Sequence, residues 1–179
     1  KDIFGYFGFC NSFIPEIKEV FAEHGRLTSA TASALSLKEG IPVTYKAGDQ
    51  PNNALSLNVL EPGEVAATAG TSGVIYGVSD QLTYDNESRV NTFAHVNYTT
   101  EAKRLGVLLC INGTGILNRW VKNIAGDTLS YEQINAAAKT IPAGSDGVTI
   151  LPFGNGAERM LNNKIVQAHI HNIDFNKHN

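Results

Sequence analysis

The chain has 179 residues, 42% of them hydrophobic and 17% charged, which is the composition of a globular protein with enough length for one ordinary domain or parts of two. A net charge of −3 provides no basic surface for nucleic acid and no polybasic patch for a membrane, so small neutral or phosphorylated ligands stay open. Two cysteines, Cys10 and Cys110, are too few and too far apart for a disulfide scaffold or a zinc ribbon, which favours a reducing, cytoplasmic setting. The longest apolar runs have strand length rather than membrane length, and no basic-then-apolar leader opens the chain. A first residue that is not methionine and a last segment that breaks off after a strand-like run suggest a fragment.

In chain order, residues 13–25 carry Pro15 early, then Ile17, Val20 and Phe21 at helical spacing and a glycine stop, which predicts a short helix. Residues 28–37 predict a second one with Thr28 as its cap. Residues 41–47 alternate as a strand closing on Gly48 and Asp49, and residues 51–60 follow as a helix with proline in its first turn. Glu61, Pro62, Gly63 and Glu64 cluster chain breakers and mark a domain crossover.

Beyond the crossover, residues 65–69 and 74–79 read as two strands joined by Gly70, Thr71, Ser72 and Gly73, a hairpin pattern. Residues 93–98 and 104–111 predict two more strands, 113–124 and 131–139 two helices, and 148–151 and 165–173 a return to strand. There is no internal repeat. Mixed strands and helices predict an α/β layer with an antiparallel portion.

Three constellations could carry chemistry. Asp49, preceded by Gly48 and followed by Gln50 and a helix, is placed where α/β sheets bind ligands. There it either caps the helix or takes a proton from a hydroxyl that attacks a γ-phosphate. The turn Gly70-Thr71-Ser72-Gly73 either closes a hairpin or brings backbone N–H groups and two hydroxyls to an anion. It has neither the lysine of a P-loop nor the spacing of a dinucleotide fingerprint. Cys110-Ile111-Asn112-Gly113-Thr114-Gly115 lies at a strand-to-helix junction, suited to phosphate or hydroxyl groups or to an ordinary loop. Three features are read as structural. The imidazoles of His169 and His171, with His178 later, form a strand surface rather than a zinc site; Lys103, Arg104 and Arg159 are solvated; and Trp120, Phe153 and Phe175 belong to the core.

In combination, Gly48-Asp49-Gln50 followed about twenty residues later by Gly70-Thr71-Ser72-Gly73 resembles the centre of the FGGY carbohydrate kinases. Leu27 and Thr28 through Leu37, Gly40-Ile41-Pro42-Val43 and Ala47-Gly48-Asp49 are similar to that family's stretch ahead of its GDQ or GDN aspartate, and Leu151-Pro152-Phe153 with Glu158-Arg159 to its LPY..GER segment. There this chain departs by the added Ala157 and by Met160-Leu161 in place of a Thr-Pro or Ala-Pro. Nearly the whole chain is covered. The Gly70 to Val74, Phe93-Ala94-His95 and Leu151 to Asn163 stretches look most like the xylulokinases, while Gln50 also suits the glycerol kinases.

The resemblance implies an actin-like (ribonuclease H-like) ATPase fold of α/β class, with residues 1–60 ending a sugar-binding domain and residues 64–179 opening a nucleotide-binding one. It implies ATP-dependent phosphorylation of a sugar hydroxyl, D-xylulose to D-xylulose 5-phosphate first, with gluconate, ribulose or glycerol as other substrates. Asp49 would be the general base and Gln50 a sugar neighbour. Gly70 and Thr71, with Ser72 and Gly73, would meet the β- and γ-phosphates. Gly113 would lie beside the nucleotide, with further contacts at Thr114 or Asn118, and Mg²⁺ would travel with ATP without a dedicated metal site. Partners would be sugar and ATP, without nucleic acid or membrane, and a homodimer stays open. A fragment of this kind would turn over nothing alone, because positioning supplies most of phosphoryl-transfer catalysis. The alternative is a non-catalytic actin-like module that binds nucleotide.

Overall fold

Thr28 stands in extended conformation, and its hydroxyl oxygen accepts from the amide of Thr31, satisfying one of the donors that a helix start leaves open. The helix it caps, α2 (Ser29–Leu35), ends on Ser36 in the left-handed region. In the computed structural model, which describes residues 2–126 and 128–178, this matches the sequence expectation. A five-residue helix, α1 (Asp2–Tyr6), precedes it and was not anticipated.

The helix expected over residues 13–25 does not form. Ile14 is extended, as a residue before proline tends to be, and Ile17 and Phe21 are 87% and 56% exposed, so little burial rewards an amphipathic face here. Turns replace it, with the imidazole Nε2 of His24 3.0 Å from the Val20 carbonyl. The strand expected over 41–47 shrinks to β2 (Pro42–Val43), antiparallel to β1 (Gly25–Arg26). The bonds His24 N–H to Val43 O and Leu27 N–H to Ile41 O extend that pairing, and beyond Val43 the chain has no partner strand among the described residues.

Helix α3 (Asp49–Ser56) starts two residues ahead of its proline, with Gly48 as N-cap. Its Ala54 is fully buried and meets Ala66, Tyr76 and Val78, the centre of the core, around which Val59, Val74, Phe93 and Leu108 pack. The crossover is a β-turn closed by Glu64 N–H to Glu61 O, with Pro62 followed by Gly63 at φ +91°, the positive φ that the third position of a type II turn requires. Its Glu64 carboxylate also accepts from the amides of Leu60 and Glu61, which holds its pKa below the usual carboxylate range.

The turn feeds an antiparallel sheet in the order β3-β4-β6-β5, with β3 Val65–Ala69, β4 Gly73–Ser79, β5 Asn91–Ala94 and β6 Leu105–Ile111. Two-residue periodicity puts Val74, Tyr76 and Val78 of β4 on the face toward α3, where burying the Tyr76 ring contributes about 1.5–3 kcal/mol. Helix α4 (Gly115–Ala125) follows β6 directly. Then come α5 (Tyr131–Ala138), opened by a capping box of Ser130 and Gln133, and the antiparallel pair β7 (Thr149–Phe153) and β8 (Gln167–His171). The described strands pair antiparallel in every case, more than the mixed layer expected.

Two structural assignments are corrected. Trp120 is 46% and Phe175 94% exposed, so neither is core. Arg104 is not a free surface cation: its guanidinium pairs with Glu61 at 2.8 Å. No helix among the described residues is long and apolar enough to cross a membrane.

Candidate functional site

The tip of the β3–β4 hairpin folds onto the start of α4. The carbonyl of Gly70 accepts from the amide of Gly115 (2.9 Å) and from the Thr114 hydroxyl (2.9 Å), and the Thr71 carbonyl accepts from the amide of Ile116 (3.2 Å). Two of the donors that a helix N-terminus normally leaves open are thus consumed by the loop. The first turn of α4 holds the loop through these amides, at the junction that the sequence leaves open to phosphate or hydroxyl groups or to an ordinary loop.

Glycine is required here because the segments pack with no room for a Cβ. A Cβ on Gly115 would lie 2.5 Å from the Gly70 carbonyl oxygen, and one on Gly73 2.5 Å from Cγ2 of Thr114. One on Gly113 would lie 1.8 Å from the Pro152 carbonyl oxygen, so β7 is drawn against the same junction. The 70–73 and 113–115 segments, forty residues apart, therefore form one backbone-walled corner. Within it Gly70 N–H donates to Ser72 O at 3.1 Å, a local bond that sets the loop shape.

Beside this corner lies a cavity of about 340 Å³, lined by Gly113, Ile116, Leu117, Trp120, Asn123 and Pro152 among others. Its α4 wall sets Ile116, Leu117 and Trp120 beside Arg119 and Asn123. Asn118 is exposed and is not among the residues that line it. Sequence reading had assigned Trp120 to the core and so missed the largest side chain of this wall; its spacing of four from Ile116 was the available signal.

Asp49 is the first residue of α3 and is exposed, and its Oδ1 accepts from the amide of Gln50 at 2.8 Å. Gly48, not Asp49, occupies the cap position, so the capping role weighed from the sequence falls to its neighbour. The carboxylate is thereby left at the helix start. Gln50 is half-buried, and Gly48 and Pro51 border a second cavity of about 420 Å³ that Lys18, His24, Lys46 and Val96 also line. From Asp49 the chain runs along α3, turns at 61–64 and runs along β3 to Gly70, so one helix, one turn and one strand separate the carboxylate from the loop.

Among the described residues no group of three or more His, Cys, Asp or Glu side chains could hold a metal ion. His169 and His171 have ring centroids 5.9 Å apart, and Nε2 of His169 is 2.8 Å from the carbonyl of Val166.

No protein-family model matches the chain. It is 26% identical over 153 residues to a xylulose kinase of Staphylococcus epidermidis, covering 86% of this chain and 30% of that protein. To a gluconokinase of Bacillus subtilis it is 26% identical over 137 residues, covering 71% and 26%. The crystal structure of a xylulose kinase from Rhodospirillum rubrum superposes on 99% of this chain and 35% of its own, with TM-score 0.85 and 22% identity. The chain spans about a third of the length of the proteins it matches. It resembles the FGGY-type sugar kinases in sequence over most of its length, and its fold is the corresponding part of their actin-like ATPase fold.

Proposed function

We propose that this chain is the central part of an ATP-dependent sugar kinase, that a ketose such as D-xylulose is the acceptor, and that Asp49 is the general base. The observation that carries the reading is the corner in which Gly70 and Thr71 are fastened to the start of α4, where glycines at 73, 113 and 115 let the loop, the helix and β7 close on one another. A loop tip fixed in this way, with no Cβ at Gly70, suits close approach to a polyphosphate.

In this reading the 70–73 loop receives the β- and γ-phosphates of Mg–ATP, with Mg²⁺ arriving as part of the substrate. Gly113 borders the nucleotide, and the Ile116–Trp120 wall of the adjoining cavity offers its apolar surface. The Thr114 hydroxyl, committed to the Gly70 and Thr71 carbonyls, orders the loop. The Asp49 carboxylate removes the proton of the sugar hydroxyl as that oxygen attacks the γ-phosphorus. The bond from the γ-phosphorus to the β–γ bridging oxygen breaks, and ADP leaves. Gln50 contacts the sugar beside Asp49. Residues 1–60 belong to the sugar side and residues 64–179 to the nucleotide side.

The likeness to a gluconokinase at the same identity as to a xylulose kinase favours a second acceptor, gluconate. The full-length protein is to be assayed for ATP consumption with D-xylulose, ribulose, gluconate and glycerol. Asp49→Asn should lower kcat at least a thousandfold with whichever sugar is used, and unchanged turnover would remove Asp49 from the mechanism.

A further inference from the structure

His95 is fully buried just past the end of β5, and the phosphoryl-transfer scheme does not use it. Its Nε2 is 3.0 Å from the carbonyl of Val59, and its Nδ1 is 2.8 Å from the Tyr76 hydroxyl. A carbonyl only accepts, so Nε2 carries the hydrogen; in the neutral ring Nδ1 is then the acceptor, and the Tyr76 hydroxyl donates to it. Burial holds the His95 pKa below its ordinary value, which keeps the ring in this neutral form.

The bond to Val59 crosses 36 residues of sequence to the segment that follows α3. Two neighbours reach the same segment. The Asn97 amide donates to the Leu60 carbonyl at 3.1 Å, and the Arg104 guanidinium meets Glu61. The connection from β5 to β6 thus grips residues 59, 60 and 61 in succession, just ahead of the crossover turn. Tyr76 is itself fixed, because its ring lies over Gly106, where a Cβ would stand 1.9 Å from the hydroxyl oxygen. What is gripped is the stretch that joins the helix bearing Asp49 to the strand leading into the 70–73 loop.

We propose that His95 is a positioning residue: as the Nε2–H tautomer bridging Tyr76 and the Val59 carbonyl, it sets the placement of the Asp49 helix relative to the sheet that carries the phosphate loop. Its catalytic consequence rests on the kinase reading. The charged and titratable groups around it are Glu61 and Glu64 of the turn, Arg104 ahead of β6 and the neutral phenol of Tyr76 on β4. Among these only Tyr76 bonds the ring, so the orientation of His95 depends on a neutral donor and not on an ion pair.

The test uses the full-length protein and two substitutions that each keep one half of the bridge. In His95→Gln the side-chain amide can donate to Val59 from the place of Nε2. In His95→Asn the amide oxygen can accept from Tyr76 in the place of Nδ1, but the side chain is too short to reach Val59. Each loses one hydrogen bond, so a merely structural role lowers both melting temperatures and both activities alike. The expected result is a kcat within threefold of the parent for His95→Gln and at least tenfold lower for His95→Asn, with KM for ATP within threefold in both. Equal loss in the two variants, no loss in either, or the reverse order would overturn the proposal. If the parent protein phosphorylates no sugar, the kinase reading fails by itself. The positioning claim is then decided by hydrogen exchange of residues 57–64 in the same full-length variants: exchange at least tenfold faster in His95→Asn than in His95→Gln supports it, and equal rates overturn it.

Discussion

Gly73 and Thr114 are in contact across the hairpin tip: a Cβ on Gly73 would fall 2.5 Å from Cγ2 of Thr114 and at ordinary distance, 3.5 Å, from its Cβ and Oγ1. The obstacle is one methyl group, and the Thr114 hydroxyl meanwhile holds the Gly70 carbonyl.

A double-mutant cycle follows from that geometry. Gly73→Ala should destabilise the chain by about 1–3 kcal/mol, the usual cost of forcing a methyl into a filled site. Thr114→Ser removes the offending methyl and keeps the hydroxyl, so the pair Gly73→Ala with Thr114→Ser should recover most of the loss. Chemical denaturation of the four proteins measures it, and strict additivity would show that the collision is elsewhere.

Stability should form a plateau bounded on both sides by the His95–Tyr76 pair. The folded state lowers the pKa of His95, so its contribution is complete above the ordinary value of 6.5 and is lost as pH falls below it. It raises that of Tyr76 from 10.0 to about 12 through burial, so that contribution is complete below pH 10 and is lost as pH rises toward 12. Melting temperature against pH reads both arms. His95→Gln should flatten the acid arm; an acid arm unchanged by that substitution would assign it to other groups.

Ser130 opens α5 with a full capping box, its side chain accepting from the amide of Gln133 while the Gln133 side chain accepts from the amide of Ser130. Ser130→Ala should cost about 0.5–2 kcal/mol, and Ser130→Asp should restore most of it, because an aspartate caps equally well and faces the positive end of the helix dipole. Denaturation midpoints at constant slope provide the comparison.

The elements that local rules govern were legible in the sequence. Thr28 caps its helix through its own side chain, Pro62 and Gly63 break the chain where the turn forms, and the glycine-flanked turn between residues 65–69 and 74–79 predicts the hairpin. Residues 13–25 carry a helical pattern as good as some that form, yet Ile17 and Phe21 stay largely exposed, and the pattern goes unused.

The candidate site divides in the same way. Asp49 and the 70–73 loop stand out by residue type and spacing, because a carboxylate at a helix start and a turn flanked by glycines are local arrangements. That the loop's carbonyls consume the first amides of α4, that Gly113 touches Pro152, and that the His95 ring grips Val59 depend on segments about forty residues apart meeting in space. Spacing along the chain carries no record of such meetings. A hydrogen bond or a collision depends on distances of a few ångströms in space, and only the packed sheet and its helices determine those distances.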